Sequence, residues 1–248
     1  MGQVVARRFR GVAFLGAVLL LLGGCATRSI SDSGFNANRA NGNPFYRGEL
    51  TEFDVLGIDR DKPVSEEEIA KELARRQKVA LPKGGSLMLV QSGAQIPDDQ
   101  MVKELDRYFT VVPFTGVPVT PARAGDGQSS GYAAMLRLAA AKSGSDVILC
   151  YWGIVETAVD REPSKVISWV PLVGAAIPDE TQLMRIRIKV AVINVGSGRW
   201  SMFSPNAPVD EALSTALARV ASDQKQVAAL KEKVYKAAVE AFVARYAS

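Results

Sequence analysis

The chain has 248 residues and a formal charge of +4, contains no histidine, and carries two cysteines. Without histidine there is no Ser-His-Asp triad, no Cys-His pair and no histidine-ligated zinc, and the distant Cys25 and Cys150 do not make a thiolate zinc site. At the N-terminus, Arg7, Arg8 and Arg10 precede an apolar run from Gly11 to Leu22. That run falls well short of the roughly 20 residues a spanning helix needs. It stops at Gly23-Gly24-Cys25. A basic start, a short apolar middle and a small-residue exit are the three parts of a secretory signal.

Leu22-Gly23-Gly24-Cys25 resembles a bacterial lipobox. The resemblance implies cleavage between Gly24 and Cys25 and a diacylglycerol on the Cys25 thiol. With Ala26 rather than Asp after the cysteine, it implies sorting to the periplasmic face of the outer membrane. Residues 1–24 are then a signal peptide, and the mature chain has 248 − 24 = 224 residues. Its charge falls to 4 − 3 = +1, because the three arginines are the only charged residues removed. So small an excess argues against a nucleic-acid partner; the first partner implied is the lipid bilayer. With Cys25 acylated, Cys150 has no disulfide partner and reads as a small buried hydrophobe.

Residues 25–48 are rich in Ser, Asn, Gly and Arg without apolar periodicity. That composition predicts a flexible tether. In the following strand and helix segment, 49–83, Glu52 to Ile69 resembles the opening of a J-domain. That family acts through a His-Pro-Asp loop, which a chain without histidine lacks, and Leu81-Pro82-Lys83-Gly84-Gly85 ends the helix before a hairpin can form. What stands is a capping box, Ser65 with Glu68, and a helix carrying Ile69 and Leu73 to about Val79.

From residue 84 to 248, strands and helices alternate. Ser86 to Gln91 reads as a short apolar strand, Pro97-Asp98-Asp99 opens a helix containing Met101, Val102 and Leu105, and Phe109 to Phe114 reads as a second strand. A helix from about Ser129 to Lys142 is expected to bury Tyr132, Met135, Leu136, Leu138 and Ala139. Asp146 to Glu156 is almost wholly apolar, as a central strand covered on both faces would be. An apolar loop, 157–182, follows. Leu183 to Val195 then alternates with period two: Met184, Ile186, Ile188, Val190 and Val192 on one side, Arg185, Arg187 and Lys189 on the other. Gly196-Ser197-Gly198 signals a hairpin into Arg199 to Phe203. Leu213, Leu217, Val220, Val227, Leu230, Val234, Ala238 and Phe242 recur at helical spacing. The predicted architecture is α/β: a mixed sheet of about four to six strands, helices mainly on one face, and a long C-terminal helix. The runs SGSDVILCYWGIVE and IRIKVAVINVGSGRW resemble the small periplasmic domain shared by the curli-secretion lipoprotein, the N-terminal domain of the Tol-system propeller protein and lipoprotein activators of peptidoglycan synthases. The resemblance implies a binding or oligomerising module.

No catalytic residue, metal site or cofactor is assigned. The spacing of Asp98, Asp99, Asp126, Glu156 and Asp160 marks no acid–base pair, and Asp98-Asp99 suits a helix start. Two features are candidates for binding. One is the apolar loop with Trp169, Val170 and Leu172, which either packs on its own domain or contacts a partner, a second copy or a bilayer. The other is the row Arg185, Arg187 and Lys189, joined across the hairpin by Arg199, which is either a solvated strand face or a contact for an anionic surface. The functional expectation is a non-catalytic, lipid-anchored binding or assembly module of the cell envelope, with an envelope protein or a second copy as partner. The alternatives are a periplasmic hydrolase using carboxylates or a non-histidine metal site, and a small-ligand sensor.

Overall fold

The alternating run at 183–195 and the apolar run before it form one long antiparallel hairpin, the spine of the structure. In the computed structural model, which describes residues 26–33, 43, 45–75, 79–118, 128–161, 180–206, 209–214 and 219–248, β4 (Val147–Arg161) pairs with β5 (Glu180–Asn194) along its whole length, from Val147↔Asn194 to Arg161↔Glu180. Both strands extend into what the composition marked as loop 157–182. Gly24, Cys25, Trp169, Val170 and Leu172 lie outside the described residues.

Each half of the hairpin collects different neighbours. On the inner half, β2 (Ser86–Gln91) runs parallel to β4, β3 (Thr110–Phe114) runs parallel to β2, and β6 (Trp200–Phe203) runs antiparallel to β5. On the outer half, β1 (Ala26–Ser29) lies antiparallel to β4 and β7 (Val209–Ser214) antiparallel to β5. The sheet is mixed, as predicted, and has seven strands among the described residues. The excess over the expected number comes from β1, whose polar composition hid it, and β7, which the helical reading of the C-terminal region absorbed. Leu213, read as helical, is in β7.

Two cores flank the sheet. On one face α5 (Arg219–Tyr246) and α3 (Asp99–Leu105) pack Leu230, Val234, Phe242, Met101 and Leu105 onto Leu87, Leu89, Leu149, Tyr151, Ile186 and Val190. On the other, α4 (Gln128–Lys142) and α1 (Glu52–Leu56) pack Leu136, Ala140 and Val55 onto Met88, Val90, Ile148, Cys150 and Ile193. Helix is heavier on the first face, but the second is covered over the inner half of the sheet. On α4 the buried stripe is Ala133, Leu136 and Ala140; Met135 and Leu138, expected to be buried, are 59% and 56% exposed because they flank that stripe. The helix α2 (Glu66–Ala74) forms its capping box as predicted but stops short of Val79 and buries none of its side chains. Leu50, Val55, Val79 and Leu81 are buried in the same two cores, so 49–83 belongs to the sheet-centred unit.

The start of the expected tether is structured. Residues 26–29 form a strand, the Ile30 amide donates to the Gly153 carbonyl at 2.9 Å, and Ile30 is 1% exposed. A polar sequence joins a sheet when a neighbour supplies a free edge and a notch. Here β4 outruns β2 and leaves that edge, and Gly153, which lacks a Cβ, leaves room for the Ile30 side chain.

Candidate functional site

Where β4 and β5 outrun α1 and α4, no described helix covers the second face of the sheet, and among the described residues a recess of about 610 Å³ forms there. Its floor is Trp152, Gly153, Ile154 and Ile188, and its walls include Glu52 at the N-terminus of α1, Arg185, Arg187, Lys189, Ser204 and Pro205. The period of two in β5 is the local cause, because Ile186, Ile188 and Val190 must enter the α5 core and the intervening cations are therefore turned into the recess. The sequence places Arg185, Arg187 and Lys189 on one face, and the structure brings them together.

Their counter-ions were not legible in the sequence. Arg185 and Arg187 both donate to Glu156, Arg187 at 3.2 Å, because Glu156 sits opposite Arg185 in the ladder. Lys189 reaches Glu52 from 137 residues away. The ionic wall thus carries three cations against two carboxylates. Hydrogen bonding from Arg185 holds the Glu156 carboxyl below the usual carboxylate range. Arg199 does not join the row; it donates to the Glu72 carbonyl and carboxylate on α2. Trp152 fixes the floor, its indole Nε1–H donating to the Leu50 carbonyl at 2.7 Å.

A second polar assembly lies at the carboxyl end of β2, beside Tyr151 in the first third of β4, close to where open α/β sheets ordinarily bind ligands. It is filled by the chain itself. The Tyr151 hydroxyl and the Asp98 amide both donate to Gln91 Oε1, at 2.6 and 2.7 Å. Gln91 Nε2 donates to Ser31 Oγ at 3.0 Å, and Ser31 donates to the Ser92 carbonyl at 2.6 Å. Lys231 on α5 donates to Asp98 Oδ2 at 2.8 Å and to the Ile30 carbonyl at 3.1 Å, and Tyr235 also donates to Asp98. Asp98 occupies the N-cap position of α3 but makes no side-chain cap; its carboxylate instead ties the start of α3 to α5, and Lys231 joins α5 to the N-terminal segment through the Ile30 carbonyl. Burial pushes both tyrosine hydroxyls well above their ordinary value, so they act here as neutral donors.

Cys150 is buried, and burial pushes its thiol up, which is the behaviour of a core residue rather than a nucleophile. Among the described residues no group of three or more His, Cys, Asp or Glu side chains is placed to hold a metal ion. No described helix is long and apolar enough to cross a membrane.

Residues 51–245 match the profile of a family described as YafT bacterial lipoprotein. No curated protein matches the chain. Among solved structures, a dodecamer of a PelC variant from Paraburkholderia phytofirmans is similar at 12% identity, with 65% of this chain and 95% of that one covered and a TM-score of 0.25. A structure from Helicobacter pylori, described as a homolog of neuraminyllactose-binding hemagglutinin, is similar at 11% identity, with 68% and 89% covered and a TM-score of 0.29.

Proposed function

Taking as premise that the chain belongs to the YafT bacterial lipoprotein family, we propose that it is anchored through Cys25 to the outer membrane and acts there as a non-catalytic binding module whose partner seats in the recess over Trp152 and Ile154. The observation that carries this reading is that, among the described residues, α5 packs the first face of the sheet while no helix covers the second face over its outer half. An apolar floor with Arg185 and Arg187 at its wall has the composition of an interface centre, where aromatic and Arg side chains dominate the energy. The paired carboxylates Glu156 and Glu52 keep those guanidinium and ammonium groups in place. They also lower the net charge, so the recess favours an amphipathic protein segment over a polyanion. Whether that segment belongs to another envelope protein or to a second copy is left to the test.

The competing hydrolase would need a carboxyl raised toward neutrality to serve as acid. In the recess Glu156 is shifted the other way and is occupied by two arginines.

A photo-crosslinking side chain at Ile154, which is 37% exposed, tests the reading in growing cells. One discrete adduct is expected, weakened by Arg187→Glu on the adjacent wall and absent when the probe replaces Ile96 (74% exposed), which does not line the recess. Equal, diffuse labelling at both positions would remove the recess as a binding surface.

A further inference from the structure

Three cations and two carboxylates leave the ionic wall one charge out of balance, and the strand register shows which cation carries the surplus. The two rows that line the recess face each other residue by residue: Trp152 lies opposite Lys189, Ile154 opposite Arg187, and Glu156 opposite Arg185. Arg185 therefore has its carboxylate directly across the ladder, and Lys189 is paired with Glu52. Arg187 has an isoleucine across from it. It reaches Glu156 on the diagonal, through Nη1 at 3.2 Å, and shares that carboxylate with Arg185, one oxygen to each. Among the described residues this is the one hydrogen bond of Arg187, although a guanidinium presents a fork of N–H donors that matches a whole carboxylate. The Arg187 side chain is 58% exposed, so the rest of that fork is accessible to an incoming group.

On the reading that a partner seats over Trp152 and Ile154, we propose that Arg187 selects that partner, and that it selects a protein segment presenting one Asp or Glu carboxylate beside an apolar side chain. The carboxylate takes the Arg187 guanidinium through two parallel N–H···O bonds, and the apolar side chain lies on Ile154. Opposite residues on one face of an antiparallel pair have Cβ atoms about 5 Å apart. The two partner groups must stand a similar distance apart, as side chains at i and i+3 or i+4 of a helix do. One carboxylate completes the neutralisation, because the wall carries 3 − 2 = +1. Further anionic groups would meet Glu156 or Glu52, so a phosphate-rich or glycan polyanion is the wrong counterpart. A segment with no carboxylate would cover a guanidinium that Glu156 satisfies only in part, and that desolvation rejects it.

The test uses the full-length chain in growing cells, with the photo-crosslinking side chain at Ile154. Mass spectrometry of the digested adduct gives the partner segment. Arg187→Glu is expected to lower the adduct yield about tenfold or more, and Arg187→Lys, which keeps the charge without the fork, to fall between. Changing the partner carboxylate nearest the attachment point to Lys should lower the yield as Arg187→Glu does, and combining the two reversals should restore it. A crosslinked segment with no Asp or Glu within a helical turn of the attachment point overturns the inference and leaves the recess as the binding surface. So does a double reversal that fails to restore the yield with both proteins at parental levels. Equal yields for arginine and lysine at position 187 overturn the bidentate seating. No discrete adduct from Ile154 overturns both the inference and the reading on which it rests.

Discussion

Replacing Ile30 by Ala separates a docked N-terminal strand from the tether that composition predicts. Ile30 is 1% exposed, and its side chain fills the space over Gly153. Truncation removes three buried carbons, about 2.4 kcal/mol at roughly 0.8 kcal/mol each. The notch has no Cβ with which to collapse, and the resulting cavity moves the expected loss into the range of about 2–5 kcal/mol found for such sites. The reciprocal change, Gly153→Ala, puts a Cβ 2.5 Å from Ile30 Cδ1 and 2.9 Å from Cγ2, so it destabilises by expelling Ile30. In the double variant the new methyl occupies part of the vacated space, so the two losses fall short of their sum, with a coupling of about 0.5–3 kcal/mol. Urea unfolding of the mature domain carrying Cys25→Ser measures all four corners of this cycle, and amide exchange of residues 26–31 shows whether the loss is local or global. An Ile30→Ala variant within about 0.5 kcal/mol of the parent, with residues 26–31 unprotected in both, would refute the docking.

Three further outcomes follow from the buried polar groups. Cys150, Tyr151 and Tyr235 keep their protons in the folded state well above the ordinary values of 9.0 for the thiol and 10.0 for the hydroxyls, and burial also pushes Tyr132 up to about 12. Because the folded values are raised, their stabilising contribution is complete below about pH 9. As pH rises the unfolded chain ionises first, and stability falls by up to about 1.4 kcal/mol per unit for each group. Urea midpoints measured between pH 7 and pH 11 would therefore be level and then drop, and the Cys150 thiol would react with a disulfide reagent only on unfolding. Lys231→Ala removes one donor from Asp98 and one from the Ile30 carbonyl. Partial exposure of the Asp98 side chain lets water replace some of this, so a loss of about 1–3 kcal/mol is expected in the same unfolding assay.

How much was legible can be seen by comparing strands. β5 was readable because its pattern is strict and local: from Met184 to Val190 each alternate residue enters the α5 core and each residue between is charged. β1 was not, because ATRS carries no pattern of its own and becomes a strand through the edge that β4 leaves exposed. The same division runs through the site. The row Arg185, Arg187 and Lys189 follows from period two, but its counter-ions come from another strand and from a helix 137 residues away. Asp98 shows why local chemistry can mislead. An aspartate before a helix is correctly placed as its N-cap, yet the approach of Lys231 and Tyr235 gives its carboxylate stronger partners than the helix amides.

The sequence by itself determined the signal-like N-terminus with its lipobox resemblance, the α/β order, the long strands and the absence of histidine chemistry, because composition, chain order and residue spacing express these directly. The tertiary structure alone decided that, among the described residues, helices cover the inner half of the sheet on both faces and the outer half on one, that the cations are paired, and that residues 26–33 dock rather than trail. These depend on strand lengths relative to one another and on contacts between residues far apart in the chain, which no local pattern contains.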